Sequence, residues 1–365
     1  MKNSDSITIF QLSLLAITSI GLKCHVFLIQ PMIRTAGRDA WLSILITFIL
    51  TLAWIPLLLF INKKTNGQHL FQWMRERAGR GFTNVILILI LCYLTLAESI
   101  TMRETITFIN ITFLQETPLL FITVVFGLAC LFLAGTSMRT VSVSNIILLF
   151  FIVLLGFFVS FTNIQYKDYS LLQPFLEHGL IPVLKATIYQ GSGMVELLLL
   201  LFLQHKIVHP LKFKHLAILS FLLCGLTIGP LIGSIVEFGP LEGARQRFPA
   251  YEEWGLASLG KFVEHVDFLS IYQWLSGTFI RLSVFFYIMK EIIPFKKGQN
   301  WFLLIVFAIV TGLTLYPISD FTYSNLMFFT ILPLTFWFFL GFSFVLGGFV
   351  AYYSKKKRRS KHGVF

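Results

Sequence analysis

Apolar residues run almost unbroken along this chain in ten stretches: 7–31, 40–61, 83–110, 117–135, 141–162, 180–205, 215–238, 266–292, 299–319 and 327–353, separated by short polar connections. Each stretch holds about 19–28 residues, which at ~1.5 Å rise per residue meets or exceeds a hydrocarbon core ~30 Å thick. The pattern predicts an all-α membrane protein of ten transmembrane helices. It leaves no room for a separate soluble domain, so residues 1–365 read as one transmembrane domain ending in a basic tail over 354–365. The first run reads as the first span, because no small-residue cleavage site follows it.

Composition agrees with that pattern. The chain is 56% hydrophobic and 13% charged, with a mean hydropathy of +0.80, and a soluble domain of this make-up would carry a largely apolar surface. The net charge of +12 does not point to nucleic acid, because the basic residues alternate between connections. Lys63, Lys64, Arg75, Arg77 and Arg80 follow the second stretch; Lys206, Lys212 and Lys214 follow the sixth; Lys290, Lys296 and Lys297 close the eighth. With the tail Lys355, Lys356, Lys357, Arg358, Arg359 and Lys361, they place both termini in the cytoplasm and give the tail affinity for anionic lipid. The opposite connections are acidic, with Glu237, Glu242, Glu252, Glu253, Glu264 and Asp267. Trp41, Trp54, Trp301 and Trp337 stand near predicted span ends, and Trp73 sits in an amphipathic segment expected along the inner surface. Cys24, Cys92, Cys130 and Cys224 fall inside apolar stretches without metal-ligand spacing and read as small core residues. No cofactor is implied. The chain has no His-Glu-x-x-His, nucleophile elbow or phosphate-binding glycine loop, so no enzyme is expected.

Two glycine clusters occupy matching places. Gly21 lies near the middle of the first stretch, and Gln190-Gly191-Ser192-Gly193 at the middle of the sixth. These are the leading helices of two five-span halves, 7–162 and 180–353. Such a pair points to an inverted-repeat site in which both leading helices are broken and free backbone groups bind a zwitterion. The competing account is that small residues only let helices pack closely. Ionisable side chains sit at the same depth: Lys23, Glu98, Glu196 and Arg281. Opposite signs invite pairing, Glu98 with Arg281 or with Lys23, either as a structural ion pair or as contacts to ligand, water or a proton path. Thr101 and Thr105 share the face of Glu98. The candidate ligand contacts are Gly21, Lys23, Glu98, Thr101 and the Gly191, Ser192, Gly193 cluster, with Glu196, Thr278 and Arg281. Arg103 and Glu104, nearer the outer face, read first as structural, and His25 reads first as a hydrogen-bonded filler and second as a proton relay. His205 and His209, at the inner end of the sixth stretch, are expected to be solvated.

Short motifs in order along the chain resemble the B subunits of bacterial endospore germinant receptors, the spore germination permeases of the amino acid–polyamine–organocation superfamily. They are Gly21 with Asp39-Ala40-Trp41-Leu42-Ser43; Arg103-Glu104 with Glu116-Thr117-Pro118; Leu172-Gln173-Pro174 with Gly179; Phe248-Pro249 with Glu264, Asp267 and Trp274; and Tyr316-Pro317. One departure is Gly21-Leu22-Lys23-Cys24-His25, which puts a cation where the family is glycine-rich and reaches Pro31 only later. The resemblance implies five-plus-five inverted repeats with a site between spans one, three, six and eight. It further implies a receptor subunit that senses a small nutrient, an amino acid, together with an A subunit and a lipoprotein C subunit. The alternative is a secondary transporter coupled to protons or ions.

Overall fold

The computed structural model describes residues 5–258 and 266–361, with side chains to Ser354. Glu264 and the side chains of the basic tail lie outside the described residues. The helices are α1 (Ile9–Leu22), α2 (Ile29–Ala36), α3 (Ala40–Lys64), α4 (Leu70–Ala78), α5 (Arg80–Thr112), α6 (Leu119–Gly135), α7 (Met138–Thr162) and α8 (Leu180–Met194). They continue as α9 (Phe213–Phe238), α10 (Pro240–Arg245), α11 (Pro249–Leu256), α12 (Leu269–Ile292), α13 (Gln299–Thr314), α14 (Asp320–Leu326) and α15 (Leu332–Lys361). Each of the ten apolar stretches is thus helical. Seven helical segments of the described residues are long and apolar enough to cross a membrane, and α6 and α13 are shorter apolar helices. The chain is an all-α membrane protein.

Local chemistry sets the helix starts. Thr8 caps α1 reciprocally: its hydroxyl accepts from Gln11 N at 3.2 Å, while its own N–H donates to Gln11 Oε1 at 2.9 Å. Ser137 and Ser319 cap α7 and α14. Gly239, at φ 81°, turns the chain between α9 and α10 in a conformation that disfavours a side chain.

The two leading helices do not break as expected. α8 runs as regular α-helix through Gly191, Ser192 and Gly193, and only at Val195 tightens into a 3₁₀ helix, Val195–Lys206. In the first stretch, α1 widens into a π-helical turn, Lys23–Phe27, before a bend at Leu28 opens α2. The α8–3₁₀ segment changes pitch without unwinding, and the first stretch stays helical past Gly21 and bends only at Leu28, so the backbone at the glycines themselves is helical. A 3₁₀ run of 12 residues is far beyond the usual ~3–4. Close packing accounts for the glycines: a Cβ on Gly193 would lie 2.5 Å from Cys24 Sγ in the π turn, and one on Gly191 2.6 Å from the Phe336 ring.

The α8–3₁₀ segment forms the axis of the bundle. Its most apolar window is 94% buried, against 22% for the segment Met138–Tyr166 that contains α7. The N-terminal segment joins its C-terminal end through a bridge between Ile7 and Ile207. Lys206 there binds Asp5 at 2.6 Å and Glu291 at 3.1 Å, and His205 meets Glu291 at 3.0 Å. His205 therefore belongs to an ion network rather than to solvent. Burial opposes ionisation of Asp5, yet hydrogen bonds from Lys206 and Tyr287 hold its carboxyl below the ordinary range.

Two tryptophans also differ from expectation. Trp54 is buried and donates to Ser343 Oγ of α15 at 2.9 Å. Trp73 is buried with Leu70, Phe71 and Met74, so α4 lays its apolar face on the bundle, where Trp73 meets Phe349 of α15. The amphipathic pattern was right about the stripe, but protein covers it.

Candidate functional site

Glu196 is the centre of the interior. It is fully buried one position into the 3₁₀ run, where the change of pitch turns it toward α1, α5 and α12. Its Oε1 accepts from Lys23 Nζ at 2.9 Å, Tyr93 Oη at 2.7 Å and Arg281 Nη2 at 3.0 Å; its Oε2 accepts from Arg281 Nη1 at 2.8 Å. The guanidinium pairs bidentately, which adds orientation to charge. Arg281 also donates to the Ser19 carbonyl and, through Nε, to Thr101 Oγ1 at 3.2 Å, and its plane lies 4.4 Å over the Phe285 ring. Lys23, brought inward by the π turn, donates in addition to the Ser192 carbonyl at 2.8 Å, where α8 is about to tighten. One carboxylate thus ties both leading helices to α5 and α12. Breaking such a cluster from one side leaves a buried charge bare.

The pairing of Glu98 with Arg281 or Lys23 is not found. Glu196 takes both cations, and the two oxygens of Glu98 have no hydrogen-bond partner although the residue is fully buried. The helix rotation that aims Arg281 at the axis of the bundle puts its guanidinium between Ser19, Thr101 and Glu196 and leaves Glu98 outside that set.

A cavity of about 20 Å³ adjoins the cluster, walled by Lys23, Glu196, Arg281, Thr101 and Tyr93 with Phe27, Met327, Ile331, Leu332 and Thr335 among its apolar and hydroxyl lining. A second, also about 20 Å³, lies on the other side of Glu196, among Leu12, Leu15, Ser19, Leu199, Val284 and Phe285. Each has room for about one water and neither for an amino acid, so the cluster is closed to a ligand of that size in this state. Of the residues expected at the site, Lys23, Thr101, Glu196 and Arg281 come together on the first cavity. Gly21, Gly191, Gly193 and Thr278 stand behind it in the packing: a Cβ on Gly21 would meet Leu226 at 2.6 Å, and Thr278 shares a hydrogen bond with Thr105 at 2.9 Å. Ser192 enters through its carbonyl alone.

Tyr93 was missed by the sequence reading. A tyrosine hydroxyl at mid-span needs a partner, and that rule would have flagged it. His25 is a filler: its Nδ1 lies 3.1 Å from the Leu226 carbonyl, which Pro230 four residues on leaves without a helical donor. A carbonyl partner makes that nitrogen the N–H. Arg103 and Glu104 are structural as well. Arg103 donates to the Thr314, Tyr316 and Ile318 carbonyls at 2.7–3.1 Å, and Arg247 joins Glu104 at 3.4 Å to Asp320 at 3.1 Å.

Among known proteins, the family described as "Spore germination protein" matches residues 6–323 of this chain. Spore germination protein XB of Bacillus anthracis is 38% identical over 356 residues, covering 97% of this chain and 100% of that protein. YfkT of Bacillus subtilis (strain 168), also named for spore germination, is 27% identical over 284 residues, covering 77% of this chain and 76% of its own.

Proposed function

The chain belongs to the spore germination protein family, and from that premise we propose that it is a germinant-receptor subunit which senses a small nutrient, an amino acid, at the Lys23–Glu196–Arg281 cluster. The observation that carries the reading is that one buried carboxylate joins both leading helices to α5 and α12 beside a cavity. In this proposal the ten helical stretches span the spore inner membrane as five-plus-five inverted repeats, with both termini cytoplasmic. The ligand enters from the outer side, its carboxylate and amine exchanging with the Arg281, Lys23 and Glu196 contacts, and Thr101 orients it. Because the described state has no room for it, binding requires the cluster to open. A ligand that favours the open over the closed arrangement then shifts the population and biases A- and C-type partner subunits.

A strain lacking this chain, tested against a panel of single nutrients, should lose germination to one or a few of them. Unchanged response to every nutrient would sink the receptor reading. The two cavities on opposite sides of Glu196 favour one second reading, a secondary transporter in which the cluster separates an outer from an inner vestibule. Nutrient flux into proteoliposomes containing this chain alone would support it.

A further inference from the structure

Glu98 is the acid the cluster leaves over. It lies mid-way along α5, wholly inside the protein, with both carboxyl oxygens unpartnered. The elements packed most extensively along α5 are α4, α6, α12 and α13, and among the described residues α15 adds only rings, Phe338 and Phe339 on Tyr93 and Phe349 on Phe82. From α12 comes Arg281, engaged by Glu196, Thr101 and the Ser19 carbonyl. From α6 comes Cys130, a thiol, whose carbonyl is taken by the Ser283 hydroxyl. α13 carries no ionisable residue, and on α4, which packs near the start of α5, Arg75 is spent on Asn84, Glu76 accepts from Gln72 and Arg77 lies 4.5 Å over the Trp73 ring. On α5 itself Tyr93 donates to Glu196, and Arg103 and Glu104 belong to the outer lattice. Among the described residues nothing is left to compensate an anion at Glu98, and an uncompensated carboxylate at this depth is costly where a neutral acid is not. Meanwhile, by formal charge, two cations face one anion in the Lys23–Glu196–Arg281 cluster, one positive charge in excess.

We propose that Glu98 is a proton-binding site coupled to the ligand site, so that the protein takes up one ligand carboxylate together with one proton. The carboxylate rests on the amino-acid reading above; the proton does not. With the proton on Glu98, the excess positive charge is open to an incoming carboxylate beside Lys23 and Arg281. With the proton released to bulk water, the Glu98 anion draws on Arg281 and supplies that negative charge itself, and the ligand carboxylate loses its counter-ion. The coupling is reciprocal: ligand favours the proton as much as the proton favours ligand.

Infrared spectra of the full chain in nanodiscs, taken across pH without ligand, test the proton. Wild type should show the C=O stretch of a neutral carboxylic acid, shifted in D₂O, that vanishes in Glu98→Gln, shifts in Glu98→Asp and persists in Glu104→Gln. A spectrum that Glu98→Gln leaves unaltered overturns the proposal. Thermal stabilisation by a mixture of the twenty standard amino acids tests the coupling. In wild type the half-effective concentration should rise about tenfold per pH unit once Glu98 ionises, the slope of one linked proton, and in Glu98→Gln it should stay at the low-pH value. A wild-type value independent of pH across the range in which the infrared band fades overturns the coupling. If the mixture stabilises neither protein while the band is present, the amino-acid reading falls and the proton site stands.

Discussion

The 3₁₀ run Val195–Lys206 and helix α7 read alike in sequence, the first rich in Leu and the second in Phe, Leu, Val and Ile, yet they live in different solvents. In the first every side chain from Val195 to Gln204 is buried by protein; in the second Phe150, Phe151, Val153, Leu154, Phe157 and Phe161 face outward. Apolar character alone does not separate the axis of this bundle from its wall. What separates them is a single charge and two close approaches. Glu196 has to be surrounded by donors, and the glycines before it let the π turn and Phe336 come within van der Waals reach.

The largest test of that contrast is Arg281→Ala, which leaves Glu196 buried with Lys23 and Tyr93 alone. A loss of about 3–5 kcal/mol of stability is expected, read as collapse of detergent-solubilised protein in a thermal unfolding scan. Next, Leu198→Ala on the fully buried axis should cost about 2–5 kcal/mol, while Leu154→Ala on the outward face of α7 should stay within about 0.5 kcal/mol. Equal effects at the two leucines would erase the distinction between axis and wall. Third, Gly193→Ala forces a methyl against Cys24 and should cost about 1–3 kcal/mol. The partner change, Gly156→Ala in α7, meets only Gln273 Nε2 at 3.4 Å and should be neutral or gain up to about 1 kcal/mol of helix propensity. Smallest of all, Glu98→Gln removes no hydrogen bond and should move stability by less than about 0.5 kcal/mol. A large loss there would mean that Glu98 is held by a partner and is not the acid left over.

Much of this was legible beforehand. Helix positions followed from runs of apolar residues, because a backbone in hydrocarbon must satisfy its own hydrogen bonds. That the mid-depth charges of opposite sign would pair followed from the cost of isolated charge in the membrane. The choice between Glu98 and Glu196 as counter-ion to Lys23 and Arg281 did not, since four charges at similar depth allow several pairings and periodicity does not report how far each helix is rotated. Nor did the fate of the glycines. Gly191 and Gly193 are equally compatible with an unwound turn and with a tight crossing, and the neighbours Phe336 and Cys24 decide for the crossing.

By itself, then, the sequence determined an all-helical membrane protein with a few buried charges near the middle of its leading helices, because hydropathy and desolvation act on each residue wherever its neighbours are. Only the tertiary structure decided which carboxylate is surrounded and which is left bare, because a hydrogen bond depends on ångström-scale placement of two helices that are distant in the chain.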